Sequence, residues 1–294
     1  MKIPNFKIIA LIILNAFFFT FPIVTKANPI DQYACALNGS GEITDIQECY
    51  AKPDYLEVTF YRGYLCKTEP TAPDVSTPIN LSSCELFFEN TQGVTVNIKQ
   101  NNQTTLTNYP KEISMPANGR YQYAYLEIDP TEKTQAQVSF NRDMTASDGS
   151  IGKWCWTLTG QRFGVNNTVN PFASCADQKN NSLSTATTTI NNSLDGRLNT
   201  IVQTRSFLSS KNDVVNAFLL TSDNKLANAA ADSLGNIAKI GGYLPQAIEI
   251  TDTTKSLVIN YNAQQGASIA IPSGSPNRLN HFSAGPFDVY ITTE

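Results

Sequence analysis

Tyr55-Leu56-Glu57-Val58-Thr59-Phe60-Tyr61-Arg62-Gly63-Tyr64-Leu65-Cys66 decides the fold class. On an extended chain, Leu56, Val58, Phe60 and Tyr64 fall on one side, and Glu57, Thr59 and Tyr61 on the other. That period of two marks a strand with one apolar face. The pattern recurs downstream. Val94, Val96 and Ile98 alternate with Thr95, Asn97 and Lys99. Ala124, Leu126 and Ile128 oppose Tyr121, Tyr123 and Tyr125. Further strand-like runs cover 134–140, 154–158, 200–208, 214–221, 247–250, 256–261, 267–271 and 287–292, separated by Gly, Pro, Asn and Asp. The spacing predicts one short helix, over 224–234, with Asp223 as its N-cap. The expected fold is all-β, an antiparallel sandwich or barrel.

The six cysteines, Cys35, Cys49, Cys66, Cys84, Cys155 and Cys175, all lie in the first part of the chain. An even count without a Cys-x-x-Cys pair points to three structural disulfides rather than redox or zinc chemistry. Spacing favours sequential pairing, in which each bridge closes a short loop worth about 3 kcal/mol. Residues 180–193 are rich in Asn, Ser and Thr and offer little to bury. They are expected either to link a disulfide-containing β domain, 28–179, to a cysteine-free β region, 194–294, or to form a long loop within one continuous fold.

Residues 1–27 have the form of a secretory signal peptide. Lys2 and Lys7 precede an uncharged apolar run of 17 residues, 8–24, and Thr25 and Ala27 supply small residues for cleavage. No lipoprotein box precedes Cys35. Without this segment the chain carries 18 basic and 25 acidic groups, a net charge of −7. That balance excludes nucleic acid as a partner, because phosphate backbones need a cationic footprint. Charged residues make up only 16% of the chain, so its surface is mostly neutral and polar. The high Asn and Ile content, with Lys favoured over Arg, suits a bacterial source, where the six Asn-x-Ser/Thr triplets would stay unmodified.

Met115-Pro116-Ala117-Asn118-Gly119-Arg120-Tyr121 resembles the Leu-Pro-Ala-Gly-x-Tyr turn of transthyretin-like sandwich modules in secreted and surface proteins. Proline fixes φ, glycine supplies backbone freedom, and tyrosine opens the next strand. Here Asn118 is inserted before the glycine. The resemblance implies a fold type and a surface location, not an activity.

Candidate sites are few. Trp154 and Trp156, the only tryptophans, flank Cys155 and share one face of a strand. Either they are core, or the disulfide faces inward and they form an outward stacking platform for a sugar ring or a neighbouring subunit. Tyr121, Tyr123 and Tyr125 form a second aromatic row, half-wet or covered by another element. Asp143, Asp148 and Gly149 read as a solvated turn, without the dense acidic loop that calcium needs. Glu85 and Glu89 are the carboxylates a glycosidase would require. His281, the single histidine, falls in a loop before the last strand and has no nucleophile elbow to serve. No cofactor motif and no metal-binding set stands out. The expectation is an exported, non-enzymatic β protein with a structural or adhesive surface role and possible self-association through its terminal strand. The alternative is a secreted glycan- or ligand-binding module, and a secreted hydrolase comes third.

Overall fold

The computed structural model describes residues 34–97, 115–158, 162–163, 173–183, 185–190, 204–208, 214–227, 237–285 and 287–294. The expected signal peptide lies outside them. Every regular element described is a strand. In chain order these are β1 (Cys49–Ala51), β2 (Tyr55–Cys66), β3 (Cys84–Asn97), β4 (Gly119–Ile128), β5 (Thr131–Gln135), β6 (Gln137–Thr145), β7 (Ile151–Thr157) and β8 (Arg162–Phe163). They continue as β9 (Ala173–Ala176), β10 (Ala186–Ile190), β11 (Thr204–Leu208), β12 (Val214–Leu220), β13 (Lys239–Ile250), β14 (Leu257–Asn262), β15 (Ala267–Ala270), β16 (His281–Ala284) and β17 (Asp288–Thr293).

The largest sheet has nine strands, in the order β11-β12-β13-β4-β2-β5-β10-β8, with β3 paired to the other edge of β2. Its inner face, with Leu56, Val58, Phe60, Ala124, Leu126, Leu244 and Ile248, packs on the β14-β17 pair through Leu257, Ile259, Tyr261 and Ile291. Its opposite face buries Cys66, Tyr125, Phe218, Leu220 and Tyr243 under Ile79 and Leu226. A separate small sandwich stacks the β6-β7-β9 sheet on the β1-β15-β16 sheet. Phe140, Met144, Cys155, Ile269 and Phe282 fill it.

The three disulfides are Cys35–Cys49, Cys66–Cys84 and Cys155–Cys175. The last two join directly opposed residues of neighbouring strands. They fit an oxidising compartment.

Four expectations change. Tyr64 does not share a face with Leu56, Val58 and Phe60. A β-bulge between Phe60 and Arg62 inserts one residue, so the alternation slips and Tyr64 turns to the opposite core. The helix over 224–234 does not start. Asn224 takes φ 63°, and a turn closed by the Thr221 N–H on the Lys225 carbonyl brings Leu226 back to Leu220. Asp223 accepts from the Thr221 hydroxyl and pairs with Lys225 instead of capping a helix; residues 228–234 lie outside the described set. The linker 180–193 contains β10, which pairs with β5. Strands from both sides of it share sheets, β13 with β4 and β15 with β1. His281 opens strand β16, opposite Ala270, rather than lying in a loop.

Candidate functional site: an outward tryptophan face

Strand β7 is the middle strand of its three-stranded sheet. Cys155 points into the small sandwich core, fully buried and bonded to Cys175. Side chains alternate along a strand, so Trp154 and Trp156 point the other way. Both are half-buried, and neither belongs to a buried core cluster. Of the two arrangements open to this pair, the fold adopts the one with the disulfide inward and the indoles outward.

The residues beside the indoles are short. Trp154 lies between Ser139 and Ala176, and Trp156 between Gln137 and Ser174. The Gln137 amide is committed. Its nitrogen donates to the Asn180 carbonyl at 3.0 Å, and its oxygen accepts from the Asn180 N–H at 2.6 Å. Ser174 and Ser150 hydroxyls meet at 3.1 Å. At Gly152 a Cβ would strike the Ala176 backbone, so glycine lets β9 close against β7. The exposed Lys179 sets its ammonium 5.8 Å from the centre of the Trp154 ring, a cation–π arrangement.

The tyrosine row is divided by the fold. Tyr121 and Tyr125 are 1% and 0% exposed, so neither offers a surface to a ligand. The physical reason is cover on both faces of the large sheet. The Tyr121 hydroxyl donates to the Ala117 carbonyl at 2.7 Å, which ties the strand to the turn before it. Burial, then the neighbouring Glu85 carboxylate, pushes its pKa up to about 12. The Tyr125 hydroxyl donates to Glu127, a buried carboxylate that also meets Lys239 Nζ at 2.8 Å and Arg62 Nη1 at 3.7 Å. Tyr123 keeps partial exposure and shares the exposed Glu69 carboxylate with Tyr243. Burial, followed by the Glu69 charge, raises the Tyr243 pKa to about 12. Sequence alternation alone missed this Arg62–Glu127–Lys239 cluster, because the three residues are far apart in the chain.

The remaining candidates have structural duties. Glu85 binds Lys67 and the Ala117 N–H, while Glu89 binds Arg62. Asp148 accepts from the Ser150 N–H and hydroxyl in a turn, and Asp143 is exposed on β6. Cys35, Asp45 and Cys49 lie close together, but the two sulfurs are bonded to each other, leaving no thiolate for a metal. No family model, curated protein or solved structure matches the chain.

Proposed function

We propose that this chain is an exported, non-enzymatic β protein with an adhesive role at the cell surface, and that it grips carbohydrate with Trp154 and Trp156. The inward Cys155–Cys175 bridge behind two outward indoles carries this reading. Burying an aromatic side chain is worth roughly 1.5–3 kcal/mol, so leaving both tryptophans partly exposed on one face forgoes some of the stabilisation that a core position would give. Flat indole faces suit the C–H faces of sugar rings, and the serines beside them offer hydroxyls. The tryptophans are the chain's only two, so fluorescence excited selectively at tryptophan reports on this face alone. A glycan panel read by that signal should give a saturable shift. Trp154→Ala and Trp156→Ala should each abolish binding while lowering stability by about 1 kcal/mol, against the 3–5 kcal/mol expected of a buried indole. A collapse in melting temperature would return the pair to the core, and a panel without any shift would end the carbohydrate reading.

A second reading, a self-assembling structural subunit, draws on β17. Among the described strands it pairs with β14 alone. The outward Ile291 N–H is taken at 3.1 Å by the side chain of Gln246, a residue of the neighbouring β13, rather than by a backbone carbonyl. By the same alternation the Val289 and Thr293 N–H groups point outward, a template for strand addition. Thr293→Pro removes one of these donors. If β17 joins subunits, light scattering should show mass rising with concentration in the parent and not in the variant. Constant monomer mass for both would remove this reading.

A further inference from the structure

We infer that the tryptophan face takes an acidic polysaccharide, with consecutive sugar units over Trp154 and Trp156 and the carboxylate of the unit over Trp154 paired with Lys179. This rests on the carbohydrate reading above and adds the ligand's charge and length.

Length follows from the strand. Residues two apart on one face stand about 6.6 Å apart, so the two indoles form successive steps along a line rather than one clamp. Their cross-strand neighbours, Ser139, Ala176 and Ser174, are too short to wall off the sides of this line, and Gly152, two residues before Trp154 on the same face, has no side chain to close that end. Gln137 is longer, but its amide is held down on Asn180. Among the described residues the face is open along β7, which fits the interior of a chain better than a single terminal sugar.

Charge follows from Lys179. Its ammonium already lies over the Trp154 ring. Any sugar stacking there has to move the ammonium off the ring and lose the cation–π contact. A neutral sugar gives nothing in return, whereas an acidic one offers the displaced ammonium a carboxylate to pair with. Asp54 lies near enough to feel the Lys179 charge, but an ammonium has three donors and can serve a second carboxylate. Asp148 meets the Ser174 hydroxyl beside Trp156, so the charge preference is set at the Trp154 step; the rest of the chain's negative charge opposes an acidic ligand only at long range. Exposed charges beyond about 8 Å are largely screened at physiological salt, while a contact pair is screened only in part. The nearest cation therefore decides local preference.

The experiment titrates tryptophan fluorescence of the intact protein with tetragalacturonate, its fully methyl-esterified form, and galacturonic acid. The ester keeps the rings and removes the charge. The acid tetramer should bind about five- to ten-fold tighter than the ester at low salt. That preference should shrink in high salt and vanish in Lys179→Gln, an exposed position whose change leaves the fold intact by circular dichroism. The monomer should bind at least ten-fold more weakly than the tetramer. Equal affinity for acid and ester, or a preference that survives Lys179→Gln, overturns the charge assignment. Equal affinity for monomer and tetramer overturns the two-unit assignment. If neutral glycans alone bind, the platform reading stands and this inference fails. If no glycan of any charge moves the fluorescence, both fail together.

Discussion

Two glutamates of the large sheet have the same burial and opposite surroundings. Glu127 is 1% exposed and meets Lys239, Arg62 and the Tyr125 hydroxyl. Glu132 is 3% exposed, its Oε2 has no hydrogen-bond partner, and desolvation alone lifts its pKa to about 8. An unpaired buried carboxylate is costly to ionise, so it takes up a proton instead. The folded pKa lies above the unfolded value near 4.5. The folded state therefore binds the extra proton between those two values, and stability falls as pH rises through that window. Glu132→Gln keeps the shape and removes the titration. Thermal melts should show the parent losing on the order of a few kcal/mol between pH 5 and pH 8, with the variant losing less and exceeding the parent at pH 8. A variant less stable than the parent at pH 8 would mean that the ionised carboxylate has a partner after all.

Among the elements, those with clean alternation were legible in sequence and those that depend on a distant neighbour were not. The runs in β2, β4, β7 and β17 were readable because one face meets a core, and those in β12 and β14 as short apolar runs buried on both faces. The face of Tyr64 was not, because a bulge carries no composition of its own. The first half of β13 was hidden by Gly241, Gly242 and Pro245, residues that usually break strands. Here each fits for a local reason. Pro245 sits at the bulge where the register to β4 slips. A Cβ at Gly241 would collide with the Tyr125 hydroxyl and approach Leu220 Cδ1 to 2.6 Å. Gly241→Ala should therefore cost about 1–3 kcal/mol, and adding Tyr125→Phe, which removes one colliding atom, should recover part of it. Denaturant melts of the double-mutant cycle measure this coupling; strict additivity would mean that Tyr125 is not the atom in the way. The tryptophan pair was visible as a pair, but the direction it faces depended on where Cys175 lies. Lys179 could not be placed beside Trp154 until β9 was.

At the scale of the whole molecule, the chain crosses its own middle repeatedly. The small sandwich core combines Ile43 and Cys49 with Phe140 and Cys155 and with Ile269 and Phe282. The large sheet pairs β4 with β13 over most of its length. A fragment of residues 28–193 would lose both partnerships, along with the β14-β17 cover, in which the Tyr261 ring packs on Phe60. It should show neither cooperative melting nor hydrogen-exchange protection in β1 and β4. A fragment that melts cooperatively would instead mark 28–193 as a domain in its own right. The pairing of β1 with β15 has a further consequence for how the molecule comes into being. A chain delivered from its N-terminus presents Cys35 and Cys49 early, while Ile269, the strand partner of Cys49, arrives near the end. Cysteines of the first loop must wait, unshielded, for most of the polypeptide to appear. Contacts of such long sequence separation form slowly, and exposed apolar strands invite association while they wait. Synthesis and folding are thereby separated in time, so yield depends on how long these cysteines and strands stay unshielded as well as on the final stability.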